Sequence, residues 1–322
     1  MPSEVAVARA DRAFGILIGL ALVSSAILIA LLLTLVPRAE QLLARGAEEP
    51  ADVVAALVLA LATCGISLGV FALFRQLAAT AVLIRSLVAR KIALPASVAQ
   101  AAHGLELDQR IDVVADERPF SFCYWFLRPR ICLSTALVAR LDGEELRAVL
   151  LHERYHLQHR DPLRIVVARY FAAGLYVVPV VDELVGFYAL QKEIAADEYA
   201  VSRDGVGALA SALYKLLPDA DDISLGLLVP VSSLSVTEAR IEQLIASRQI
   251  APTLSPVSIG LSGGALVAAA VLVAVQGGAS MAFAALPQLV AVPGLLVGPA
   301  SLLFAAAVDG GLHQLRPQSQ RA

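Results

Sequence analysis

Charge is scarce in this chain, and the scarcity is uneven. Of its 322 residues, 16% are charged and 58% hydrophobic, with a net charge of -3. Globular chains carry about 25% charged and about 45–50% apolar residues. No tract is basic enough to suggest nucleic acid, so none is expected as a direct partner. Cysteine is confined to Cys64, Cys123 and Cys132 without CxxC spacing, which argues against a thiolate metal site and a disulfide framework. No internal repeat is present.

The missing charge is concentrated in long runs. Phe14 to Val36 and Val53 to Phe74 contain no charged residue. Each passes the roughly 18–20 apolar residues a helix needs to cross hydrocarbon. A soluble core helix would show a polar face at 3.6-residue spacing, and these do not. The first run is too long for the h-region of a cleaved signal and leads into Pro37-Arg38 without a small-x-small exit, so it reads as a retained anchor. Beyond Pro256 no charge appears until Asp309, and Gly277-Gly278 and Pro287 divide that stretch into Val257 to Val275 and Pro287 to Val308. Four crossings are expected.

Arg85, Arg90 and Lys91 follow the second run with no acid until Glu106. Such Lys/Arg excess marks the cytoplasmic side. Arg9 and Arg12 before the first run, and Arg316 and Arg321 near the end, agree with both termini being cytoplasmic. Three units follow: residues 1–75 as a transmembrane hairpin, 76–256 as one water-facing domain, and 257–322 as a second hairpin with a short tail. Within the middle unit the stretch to about Leu94 reads as a helical stalk. Arg110 to Val114, Phe120 to Phe126 and Arg130 to Leu133 read as short strands. A helix is expected from Asp142-Gly143-Glu144-Glu145, whose acids suit its N-terminal dipole.

That helix carries the chemistry. His152-Glu153-Arg154-Tyr155-His156 is an HExxH motif, and residues i and i+4 share a helical face, so both imidazoles can reach one metal. Zinc lowers the pKa of a water it binds to about 7, and Glu153 stands where it can take the proton. Leu150 and Leu151 imply that the helix is partly buried, where two unpaired histidines would be costly. A bland reading, a surface helix with two histidines, fits this burial poorly. A catalytic zinc needs a third ligand. His159 is one choice, but it is only three residues from His156. Glu193 and Asp197, at i and i+4 with Ala195 and Ala196 between, are the better one: one carboxylate can bind metal while the other orients an imidazole. Taken alone, that pair would pass for solvated helix charges. Between the two helices lies Ile165 to Val181, apolar except for Arg169. A full crossing there would separate Glu193 from His152, so this stretch must be buried in the domain or enter the bilayer and return.

The run His152 to Asp161 (HERYHLQHRD), with Glu193 to Asp197 (EIAAD) downstream, resembles the integral-membrane gluzincin peptidases. The closer resemblance is to the BlaR/MecR-type membrane metallopeptidases of beta-lactam signalling, the more distant one to the HtpX and CAAX prenyl protease group. Pro119 to Leu133 resembles the BlaR/MecR lead-in "PfafG…rPrI.LS". Glu144-Glu145-Leu146 and Arg160-Asp161-Pro162-Leu163 match on either side of the HExxH. Thr237 to Ile241 resembles the late "eeRi..L" helix, where an arginine can lie near the active site, here Arg240. The likeness covers roughly residues 105–245. It implies a mainly α membrane protein with about four transmembrane helices and an α+β gluzincin-like zinc peptidase domain inserted between spans two and three. It implies one Zn2+ per chain and a cytoplasmic protein substrate, such as a winged-helix repressor or the enzyme itself.

Two departures matter. The beta-lactam receptors carry a penicillin-binding sensor after their last span, whereas this sequence ends at Ala322 without an SxxK motif in a long C-terminal region, so beta-lactam sensing by this chain alone is not expected. Cys123 stands where the family often has glycine. Two other functions stay open at this level: HtpX-like membrane-protein quality control, and a non-enzymatic zinc-stabilised signalling scaffold.

Overall fold

The computed structural model describes residues 2–46, 50–107, 109–216 and 254–277. Among these, three helices are long and apolar enough to cross a membrane: α1 (Pro2–Arg45), α2 (Pro50–Ala89) and α9 (Pro256–Gly277). They correspond to the first three expected spans. The fourth, Pro287 to Val308, lies outside the described residues, as does Arg240. The first span runs on through Pro37 to Arg45, where the sequence suggested a loop; a proline removes one helical donor without barring the helix.

Between α2 and α9 come β1 (Lys91–Ile92), α3 (Ala96–Ala101), β2 (Ile111–Val114), β3 (Ser121–Tyr124), β4 (Arg130–Ser134), α4 (Thr135–Arg140), α5 (Gly143–His159), α6 (Asp161–Gly174), α7 (Val180–Asp204) and α8 (Val206–Lys215). The three expected strands are present. The stalk helix stops at Ala89, short of Leu94, because Lys91 and Ile92 pair antiparallel with Val114 and Val113 and extend the sheet. The strand order is β1-β2-β4-β3, with β2 parallel and β3 antiparallel to β4. Among the described residues β3 pairs with β4 alone, so it is an edge strand.

Ion pairs fasten this sheet to the end of α2. Buried Asp112 on β2 accepts from Lys91, Arg130 and Tyr124. Arg90, at the foot of α2, donates to Asp116 just beyond β2. Burial pushes the Asp112 carboxyl up, but its cationic and phenolic donors outweigh this and hold it at about 2.

The apolar faces arrange the helices. Ala10, Ala13, Leu17 and Ala21 form one buried stripe on α1. Ala10 meets Tyr155, Ala195 and Ala196; Ala13 meets Ile165 and Tyr188; Leu17 meets Ala168 and Leu184; Ala21 meets Val180 and Val181. The first helix therefore runs antiparallel along α7. At the other end of α1, Leu31 and Leu35 cluster with Ala55 of α2 and Val273 of α9. The N-terminus of α9 is tied to that of α7: Ser262 Oγ accepts from the Val180 N–H at 3.0 Å, and Glu183 accepts from the Ser255 N–H at 2.8 Å and from the Ser258 hydroxyl.

The apolar stretch between the ligand helices resolves as a helical hairpin. Helix α6 climbs along α2, the chain turns between Leu175 and Pro179, and α7 returns. Its tip meets α2 at Gly65 and Gly69, within the uncharged run. A Cβ at Gly65 would lie 2.5 Å from the Gly174 carbonyl oxygen, and one at Gly69 would lie 3.1 Å from the Gly174 Cα. Only glycines four apart let these backbones approach so closely. Gly65→Leu should force α6 from α2, destabilising the detergent-purified protein by about 1–3 kcal/mol and lowering its melting temperature by about 5 °C. Gly263→Leu on α9, where a Cβ meets nothing within 4 Å, should leave the melting temperature unchanged.

Candidate metal centre and active site

Helix α5 starts where its acids predicted. Asp142 caps it, accepting from the backbone N–H groups of Glu144 at 3.0 Å and Glu145 at 2.9 Å, while the Glu145 carboxylate accepts from the Asp142 N–H at 2.9 Å. This reciprocal cap fixes the first turn. From Leu146 the helix is buried almost continuously, and His152, Glu153 and His156 are all buried.

The two imidazoles are held by their Nδ1 atoms. His152 Nδ1 lies 2.8 Å from Asp197 Oδ1, and His156 Nδ1 lies 2.6 Å from Asp161 Oδ2. Each Nδ1–H donates to its carboxylate, which leaves both Nε2 lone pairs directed inward, 3.0 Å apart. Glu193 on α7 closes the group, with carboxylate oxygens 3.5 Å from His152 Nε2 and 3.6 Å from His156 Nε2. One ligand atom from each of His152, His156 and Glu193 lies within 4.8 Å of the others, so the group can hold a metal ion. Lone pairs and a carboxylate facing one another repel unless a cation or proton lies among them.

The electrostatics show the same demand for positive charge. Burial pushes His156 down, but the Glu193 charge and the Asp161 hydrogen bond outweigh it and hold the imidazole up at about 9. Burial pushes Glu193 up, but the His156 and Lys192 charges hold it well below the usual carboxylate range. A buried carboxylate stays ionised only with such partners.

Glu153 is placed for proton transfer. One oxygen, Oε1, accepts from the Ser121 hydroxyl on the edge strand at 2.8 Å. The other, Oε2, is buried without a hydrogen-bond partner among the described residues. Cys123, two residues along β3, donates its thiol to the Glu153 carbonyl oxygen at 3.1 Å. Burial, reinforced by the nearby Glu153 charge, pushes that thiol far above its usual range, so it remains a thiol. The departure from glycine is thus accommodated, with a small side chain filling the gap between strand and helix.

Sequence reasoning brought His152, Glu153, His156, Glu193 and Asp197 to this point, and the structure assembles all five here. His159 lies elsewhere: its ring stacks on Tyr155 at 4.0 Å and its Nδ1–H donates to the Tyr155 carbonyl at 2.9 Å. Asp161 was not assigned a role from the sequence. Its position depends on Arg160, which adopts the left-handed conformation (φ 52°) and turns the chain so that the first residue of α6 faces back to His156. The signal available was an aspartate five residues beyond the second histidine. Tyr188 then donates to the other Asp161 oxygen at 3.3 Å. If the group holds a metal ion, Asp161→Asn and Asp197→Asn should each weaken that binding about 10–100-fold without unfolding the protein, measured by titrating zinc into chelator-treated protein.

Among curated proteins none matches the chain. The family model described as BlaR1 peptidase M56 matches residues 23–242, a stretch that takes in the edge strand and both helices of the His/Glu group. With most of its length inside that match, the chain belongs to the BlaR1 peptidase M56 family of membrane metallopeptidases.

Proposed function

We propose that this protein is a multi-pass membrane zinc endopeptidase that cleaves a cytoplasmic protein, a transcriptional repressor or itself, in signalling. The observation that carries this reading is Glu153 Oε2: a buried carboxylate oxygen without a hydrogen-bond partner among the described residues, beside a group able to hold a metal. A structural zinc site closes its fourth position and has no use for such a base. The donor set fits zinc, two imidazole nitrogens and one carboxylate with both rings oriented by carboxylates. Zinc there would supply Lewis-acid polarisation of the scissile carbonyl and lower the pKa of a water.

The protein's own groups do the rest. Ser121 occupies one oxygen of Glu153 and fixes its rotation, so Oε2 takes the proton from the attacking water and returns it to the leaving amine. The free edge of β3 can receive an extended substrate backbone by strand addition, next to the base. In this reading residues 76–256 face the cytoplasm, as do both termini. The α6–α7 hairpin dips into the bilayer beside α2 and returns, which keeps Glu193 on the same side as His152.

Zinc content of the detergent-purified protein, together with cleavage of β-casein and of the chain itself, tests the proposal. Wild type should carry about one zinc per chain. His152→Ala and Glu193→Ala should lose it, and Glu153→Gln should keep it while cleavage falls at least about 10²–10⁴-fold. Cleavage persisting in Glu153→Gln would refute the assigned base. A wild type with zinc but no cleavage of any substrate would favour the scaffold.

A further inference from the structure

One buried charge takes no part in the mechanism above. Lys192, immediately before the Glu193 ligand on α7, is only 6% exposed. Among the described residues its ion-pair partner is Glu193 Oε1, at 3.4 Å, longer than a normal hydrogen bond. An ammonium has three N–H donors, so at least two have no acceptor among the described residues. A buried cation so thinly paired is costly. That same Glu193 oxygen lies 3.6 Å from His156 Nε2, so the ammonium stands beside the metal group.

Charge explains why a cation belongs there. Four carboxylates, Glu153, Asp161, Glu193 and Asp197, are buried around the site. A divalent ion offsets two of these charges, and hydrolysis must then create a further negative charge in the same place. We propose that Lys192 is a catalytic residue that donates hydrogen bonds to the scissile carbonyl oxygen as that oxygen becomes negative. This rests on the peptidase reading. When water attacks, its oxygen bonds to the carbonyl carbon, the C=O π pair moves onto the oxygen beside Lys192, and the released proton goes to Glu153. On collapse the π bond reforms, the C–N bond breaks, and the amine leaves with the proton from Glu153. Lys192 keeps its own protons throughout.

The test compares Lys192→Met and Lys192→Arg with wild type and Glu153→Gln, using the full-length protein. Zinc content, β-casein kcat and KM, and affinity for a phosphinic peptide that mimics the tetrahedral intermediate are measured. In Lys192→Met, zinc should be retained, kcat should fall about 10²–10³-fold with KM little changed, and phosphinic-peptide affinity should fall similarly. Arginine should restore part of both. Loss of zinc from Lys192→Met, with normal turnover per zinc remaining, would make the lysine a support for Glu193 and overturn the proposal. Unchanged kcat in Lys192→Met beside an inactive Glu153→Gln would overturn it while sparing the peptidase reading. A wild type with neither zinc nor cleavage would overturn both.

Discussion

The structure depends on holding two imidazoles so that their Nε2 atoms converge with one carboxylate. Each ring needs its own carboxylate at Nδ1, and the two come from different places: Asp197 from α7 and Asp161 from the turn after α5. A ring fixed by one bond to Nδ1 presents its other nitrogen in a set direction. Much of the fold follows from this. Helices α5 and α7 must lie side by side, and the chain between them must leave and return at the same end. The hairpin of α6 and the first half of α7 is the solution, and its tip needs Gly65 and Gly69 of α2 for Gly174 to seat against them.

Holding that arrangement falls to α1. Its buried stripe touches both α5 and α7 at Ala10, both α6 and α7 at Leu17, and the hairpin tip at Ala21. Small side chains on both partners matter because association within a bilayer draws on close packing, with little hydrophobic drive. Where the uncharged run of α1 begins, Arg164 donates to Asp11 at 2.6 Å and lies over the Phe14 ring at 5.1 Å. The metal group, level with Ala10, therefore sits about one turn before the uncharged run of α1 and is buried in protein.

What could be read from the sequence was whatever repeats locally. The i and i+4 spacings of His152 with His156 and of Glu193 with Asp197 state which side chains share a face, and uncharged runs state which helices can lie in hydrocarbon. The requirement that Glu193 meet His152 also predicted that Ile165 to Val181 could not cross, though not which alternative the chain takes. Geometry set by a single backbone angle was not legible. Asp161 faces His156 only because Arg160 turns left-handed, and no periodicity encodes that. Nor does spacing tell where Lys192 points, since adjacent helical residues diverge by about 100° and a long side chain can fold back toward its neighbour. The short strand β1 was missed because two residues carry no alternation, and their pairing is decided by the partner β2.

The sheet completes the site by a tertiary constraint. Catalytic groups must be held to within about 0.5 Å, and a two-residue drift of the edge strand would remove Ser121 from Glu153 altogether. The strand is secured from both sides. On one, Cys123 and Ser121 bond to consecutive parts of the same glutamate, its main-chain carbonyl and its carboxylate. On the other, Tyr124 and the Arg130 opposite it in β4 both reach Asp112, which also holds Lys91 of β1, two residues beyond α2. This edge strand is thus fastened at once to Glu153 and to the chain leaving α2. Its register against the His152, His156 and Glu193 group is set by the same bonds, so strand, helix and metal group hold one another in place.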